Sequence, residues 1–115
     1  MVKFPEEYDL LDFFGARVIE NSAPHDGYFE YVVANEKGLT VKFSFNIFEK
    51  SVQSLLKHEG QIIAVFSQEG ASLIEIQGDR ERKFLAIDFN LDETASRMLL
   101  RVDPEICVRW ESTMR

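Results

Sequence analysis

The sequence contains a single cysteine, Cys107, and therefore cannot form a disulfide bond within one chain. A chain without disulfide bonds is typical of a reducing compartment. The sequence has no run of about eighteen apolar residues, and Met1–Glu7 lacks the long apolar stretch of a signal peptide. These absences predict a cytoplasmic protein that does not span a membrane and does not use a membrane as its partner.

Motifs for metal binding and catalysis are also absent. There is no Cys-x-x-Cys, no His-x-x-x-His and no calcium-loop pattern, and the glycines are isolated turn residues. We therefore predict no metal and no cofactor. His25 and His58 each precede an acidic residue, an arrangement that could support general-base catalysis. The spacing places neither a serine nor Cys107 beside them as a nucleophile, so we predict surface histidines, no catalytic residue and no enzymatic activity.

Positive charge is scarce in this chain. Lys and Arg number 13 against 20 Asp and Glu, which gives a formal net charge of −7. An acidic surface repels phosphate backbones, so nucleic acid is not a predicted partner. The acidity favours solubility, and it would also attract a basic protein partner by electrostatic steering.

The pattern that dominates the sequence is an alternation of apolar and polar residues, interrupted by short turns with Gly, Asp or Pro. Its clearest run is Leu39–Ile47, in which every odd-numbered residue is apolar. Residues 6–14 differ, because a preceding proline, early acidic residues and a following glycine are typical of a short helix. We predict a mainly β fold, α+β by content. It is an antiparallel meander of about 8–9 strands forming a β-sandwich or barrel, with a short N-terminal helix.

The length of 115 residues predicts a single domain over residues 1–115. Ten Phe residues indicate an aromatic core, in which we expect Phe43 and Phe45 to be buried. Residues 16–20 could form a short strand, residues 51–57 favour a strand over a helix, and residues 90–94 are predicted as a loop. The main predicted strands, within about 28–110, are 28–34, 39–47, 52–57, 61–67, 72–76, 83–89, 97–102 and 106–110.

Several acidic residues could form a docking surface for a basic protein, because fixed carboxylates pair with Lys and Arg and speed association. Two lie on the polar side of the predicted helix, and the others lie around strands and loops later in the chain. Tyr28 and Trp110 are candidate aromatic anchors, although Trp110 fits a core position better. The alternative is an ordinary solvated surface. The predicted partner-binding residues are Asp9, Asp12, Glu69, Glu75, Asp88, Asp92 and Glu93.

The pattern leaves other functions open. The Phe residues could line the cavity of a small ligand-binding barrel or sandwich instead of filling a core. The domain could also be an adaptor of unknown partner. An exposed edge strand such as the last one could form a homodimer by sheet extension. We therefore predict either a monomer or a weak homodimer.

Three segments, Leu10–Gly15, Gly38–Phe45 and Val102–Trp110, resemble small bacterial immunity proteins. These proteins are encoded beside contact-dependent growth inhibition toxins and related polymorphic toxins, and the likeness covers most of the chain. The resemblance implies a non-enzymatic cytoplasmic antidote that binds the C-terminal domain of its cognate toxin, often a nuclease, and blocks its active site. Because a nuclease domain is basic, an acidic surface would suit it. The resemblance assigns no individual binding residue.

Overall fold

The structure is a computed structural model that describes residues 2–91 and 94–114. These described residues form one α-helix, one 3₁₀ turn (Pro24–Asp26) and nine strands. Strands one to five form one antiparallel sheet and strands six to nine form a second, each in sequence order. The elements are α1 (Glu7–Phe14), β1 (Ile19–Glu20), β2 (Tyr28–Ala34), β3 (Leu39–Asn46), β4 (Ser51–His58), β5 (Gln61–Glu69), β6 (Ala71–Gly78), β7 (Lys83–Leu91), β8 (Thr94–Arg101) and β9 (Cys107–Met114).

The helix α1 closes one side of the space between the two sheets. It ends at Phe14, and the next residue, Gly15, donates its N–H to the Leu11 carbonyl at 3.0 Å and has a φ of +98°, which suits glycine. The ring of Phe14 stacks on Tyr31 of β2, with ring centroids 4.8 Å apart. This stacking seats the helix on the five-stranded sheet. Its buried residues are Leu10, Phe13 and Phe14.

The five-stranded sheet turns alternate residues toward the core. Phe29 pairs with Phe45, and Tyr31 pairs with Phe43, so four rings lie on the same side of β2 and β3. Phe43 and Phe45 are 0% and 2% exposed, which confirms their predicted core positions. The residues that alternate with these rings point to the opposite side, here called the outer face of the five-stranded sheet. Val65 of β5 lies on this outer face, in register with Leu55 of β4 and Lys42 of β3.

The four-stranded sheet packs its apolar side against the first sheet. Between the sheets, the Ser54 hydroxyl donates to the Met98 sulfur at 3.7 Å. Trp110 contacts Phe66 of β5 and Phe89 of β7, with centroid distances of 6.1 and 5.4 Å, and so joins the two sheets. Fully buried side chains therefore fill the interior. From this sheet they include Ile74, Leu85, Ile87, Phe89, Met98 and Leu100.

Gly70 is the point at which the chain passes from one sheet to the other. Its φ is +87°, and a Cβ atom at this position would lie 2.7 Å from Cγ of Leu91. Its carbonyl accepts a hydrogen bond from the Asn90 N–H, and the next residue, Ala71, donates to the Lys50 carbonyl, both at 2.9 Å. Only glycine combines this backbone conformation with this close approach.

The predicted fold class is confirmed, and the two architectures predicted for it are now separated. In the described residues the two sheets are not joined into a closed barrel, so the protein is a sandwich with an N-terminal helix. Residues 51–57 form a strand, as expected. The strand predicted at 16–20 is shorter, since only Ile19 and Glu20 pair with β2. The predicted loop at 90–94 is also shorter, because β7 continues to Leu91 and β8 begins at Thr94.

Candidate functional site

The acidic residues predicted to bind a partner lie on three separate parts of the structure. Two are on the exposed side of α1, two are on the outer side of the four-stranded sheet, and one is at the end of β5. Asp92 and Glu93 lie outside the described residues. The structure therefore does not gather all five described candidates into one patch. In that order, they are Asp9 and Asp12, Glu75 and Asp88, and Glu69.

A groove of about 420 Å³ between α1 and the β6–β7 hairpin brings three of these carboxylates together. Asp9, Asp12 and Glu75 line it, together with Lys3 and Lys83. Lys83 Nζ lies 3.7 Å from Asp12 Oδ2, and both side chains are largely exposed, so this ion pair contributes little to stability. The carboxylate of Asp9 forms no ion pair with any described residue. The helix side of this groove therefore has carboxylates available to a partner.

Asp88 is different, because its charge is already compensated within the protein. Its two carboxylate oxygens accept hydrogen bonds from Arg97 Nε at 2.6 Å and from a terminal guanidinium nitrogen of Arg97 at 3.2 Å. These hydrogen bonds, and then the charge of Asp88, raise the pKa of Arg97. Glu111 is the register partner of Arg97 on β9. Asp88 is thus part of a cross-strand charge row, and a partner would have to compete with Arg97 for it.

A buried carboxylate that the sequence reasoning missed lies on the outer face of the five-stranded sheet. Glu30 is 9% exposed. Its side chain accepts hydrogen bonds from the Tyr28 hydroxyl at 2.5 Å and from the Asn21 amide at 3.1 Å, and Lys42 Nζ lies 3.3 Å away. Tyr28 is therefore held by Glu30 and is not a free anchor. Period-2 alternation already places Tyr28 and Glu30 on one face, which is the signal that could have revealed this pair.

Glu30 makes the free energy of unfolding depend on pH in the acid range. Desolvation by burial raises its pKa, but the hydrogen bonds from Tyr28, Asn21 and Lys42 and the charge of Lys42 together outweigh it, so the pKa lies below the ordinary value of 4.5. A lowered folded-state pKa adds stability above pH 4.5, and this stability is lost as the pH falls through the folded-state pKa. We expect Glu30→Gln to lower the free energy of unfolding at pH 7 by about 1–3 kcal/mol and to flatten its acid dependence.

Urea denaturation between about pH 7 and pH 3 measures this effect. Glu69→Gln is the matched control, because Glu69 is exposed and forms no ion pair within the described residues. The control should keep the acid dependence of the native protein. If both variants show the native pH dependence, the cluster around Glu30 does not determine acid stability.

A second cleft, of about 940 Å³, lies at the end of the sandwich where α1 stops. Its lining includes His58 and the acidic residues Asp12, Glu36, Asp103 and Glu105. No Ser, Thr or Cys is among the described residues that line it, so His58 has no nucleophile to activate there. His25 lies in the 3₁₀ turn and does not line this cleft. The arrangement provides no nucleophilic site.

Trp110 occupies the core-side position that its sequence pattern favoured. Val108 and Trp110 face the packed side of the four-stranded sheet, whereas Cys107 and Arg109 are exposed.

Within the described residues, no group of three or more His, Cys, Asp or Glu could hold a metal ion. The same part of the chain has no helix long and apolar enough to cross a bilayer.

The described residues thus form a β-sandwich of two antiparallel sheets with an N-terminal helix, and that helix carries exposed carboxylates. This chain is similar to a chain in the solved structure of a contact-dependent growth inhibition toxin–immunity protein complex from Klebsiella pneumoniae 342. The TM-score is 0.87, the sequence identity is 25%, and the match covers 97% of each chain. The resemblance predicted from the sequence is thereby confirmed. No known protein-family model and no curated protein sequence matches the chain.

Proposed function

We propose that this chain is an immunity protein that binds and neutralises a cognate toxin domain in the cytoplasm, without enzymatic activity of its own. The observation that carries the proposal is the structural similarity over 97% of both chains to a toxin–immunity complex. A ligand-binding function has less support, because fully buried side chains occupy the space between the sheets.

The toxin partner is a basic C-terminal domain, most simply a nuclease, and the carboxylates of α1 are its first contacts. A nuclease needs positive charge to hold a phosphate backbone, and an acidic inhibitor can occupy that surface. Glu7, Asp9 and Asp12 are exposed on α1, and only Asp12 has a described ion pair. We assign the docking role to this helix rather than to Asp88, because Asp88 already forms an ion pair with Arg97.

The test is binding to the toxin domain encoded beside this chain, measured by calorimetry and by toxic activity. We expect a dissociation constant of about 1–10 nM and full loss of the toxic activity at equal molar amounts. The association rate should fall as ionic strength rises from about 0.05 to about 0.5 M, since salt screens electrostatic steering. If the chain does not bind the toxin domain, the proposed function is wrong.

Charge reversal on the helix tests the proposed docking surface. We expect Asp9→Lys combined with Asp12→Lys to slow association about tenfold or more without changing the melting temperature, because both carboxylates are exposed. The control is Glu49→Lys combined with Glu81→Lys, which changes the net charge equally at two exposed turns. Equal slowing by both pairs would show that net charge matters and that α1 is not the docking surface.

A further inference from the structure

Strand β5 is an uncovered edge of the five-stranded sheet. It pairs with β4 on one side only. The β6 edge of the other sheet, in contrast, is covered by Lys3. The Lys3 N–H donates to the Ser72 carbonyl at 3.1 Å, and the Ile74 N–H donates to the Lys3 carbonyl at 2.8 Å. The backbone groups of β5 that point away from β4 therefore offer a free template for another strand.

The side chains of this edge are apolar and exposed. Ile62 and Ile63 are each 58% exposed and Val65 is 51% exposed, so three of the seven large hydrophobic residues most exposed in the described chain lie within four positions. The pairing of β5 with β4 is irregular between Leu56 and Lys57, and Ile63 is left without a register partner. Both isoleucines beside this irregularity are exposed at the edge.

The edge also lacks the charges that usually protect such strands. Residues 61–68 contain no ionisable side chain and no proline, and Glu69 is the first charge. By contrast, the β9 edge carries Arg109 and Glu111. The nearest charges on the outer face beside β5 are lysines, Lys42 and Lys57, so this patch does not suit the basic partner proposed above. A strand without charged side chains can instead pair with the same strand of a second copy without charge repulsion.

We propose that β5 pairs antiparallel with β5 of a second copy of this chain, joining two five-stranded sheets into one ten-stranded sheet. With the two-fold axis at Val65, Glu69 of each copy lies opposite Gln61 of the other, and no like charges face each other. The two Lys57 residues are three strand spacings apart across the sheet, about 14 Å, and because each lies in register with Ile62 they are also offset along the strands, so their separation exceeds the Debye length of about 8 Å at physiological salt. The Leu55 and Val65 side chains of both copies then form one continuous apolar row.

The proposed dimer is weak. A strand of nine residues is about 30 Å long, and pairing along one edge gives an interface below the standard size of about 1,600 Å². We expect a dissociation constant of about 10–100 μM. The protein would then be monomeric in dilute solution and partly dimeric when concentrated.

Sedimentation equilibrium from about 5 to about 500 μM tests this proposal on the full chain. We expect reversible dimerisation for the native chain and none for Ile62→Lys, because a lysine on the edge opposes strand pairing. Ile19→Lys is the matched control: Ile19 is 59% exposed and lies in β1, the opposite edge of the same sheet. The control should dimerise like the native chain, and both variants should keep the native melting temperature.

Two results would overturn the proposal. One is a native chain that stays monomeric at the highest concentration. The other is equal dimerisation of the native chain and Ile62→Lys, which would place the dimer contact elsewhere. Measuring toxin binding on the same variants separates the two proposals. Monomeric native protein combined with loss of toxin binding in Ile62→Lys would mean that the toxin, and not a second copy, occupies β5.

Discussion

Replacing Phe43 by alanine is expected to lower the free energy of unfolding by about 3–5 kcal/mol. The ring is fully buried, and its centroid lies 6.0 Å from that of Phe14 and 5.9 Å from that of Phe45. The substitution would leave a cavity where α1 meets the five-stranded sheet, and the surrounding rings cannot collapse into it without breaking their own contacts. Urea denaturation followed by circular dichroism measures the loss.

Phe48→Ala is the control for this prediction. Phe48 lies in the β3–β4 turn and is 58% exposed, so its removal should cost less than about 1 kcal/mol. The difference between the two variants reports the burial of Phe43, because both remove the same ring. Small and equal losses in the two variants would contradict the inward orientation of β3.

Gly78→Ala is expected to destabilise the β6–β7 hairpin severely. Gly78 is the last residue of β6 and has φ +99°, and a Cβ atom there would lie well inside contact distance of the Arg82 carbonyl oxygen. That oxygen cannot move away easily, because the Asp79 carboxylate accepts hydrogen bonds from the N–H groups of Glu81 at 2.9 Å and Arg82 at 2.8 Å. We expect a loss at least about 2 kcal/mol larger than that of a glycine replaced in open space.

Gly60→Ala supplies that comparison. Gly60 lies in the β4–β5 turn, has φ +84°, and has open space where a Cβ atom would be placed. Its replacement should cost about 1–2 kcal/mol, which is the cost of a left-handed backbone conformation alone. Thermal and urea denaturation of both variants give the difference. Equal losses would show that the turn after Gly78 opens to accommodate a side chain.

The strands could be predicted from the sequence because alternation is a local property. In Leu39–Ile47 each apolar residue marks the core side directly, so the burial of Phe43 and Phe45 followed from the pattern. The choice between sandwich and barrel could not be predicted, since it depends on whether strands distant in sequence pair. The chain passes from one sheet to the other at Gly70, and a single turn glycine does not indicate such a passage in the sequence.

The candidate site was predicted less well, because counting acidic residues ignores what lies beside them. Asp88 and Arg97 are nine positions apart and meet only through the β7–β8 register. Glu30 was overlooked although Tyr28 and Glu30 share a face of β2. Charge alone therefore did not distinguish a carboxylate engaged within the protein, such as Asp88, from one without an ion pair in the described residues, such as Asp9.

The order of strands within the two sheets has a consequence for how the chain folds. Each strand of a sheet pairs with its sequence neighbour, so β1 to β5 and β6 to β9 each form a meander. Hairpins of this kind close short loops and have a lower contact order than sandwiches whose strands cross between sheets, and folding rates rise as contact order falls. Each sheet can therefore assemble by successive hairpin formation. We expect the docking of the two sheets to follow, when the N-terminal segment pairs with Leu73 and α1 packs on the core.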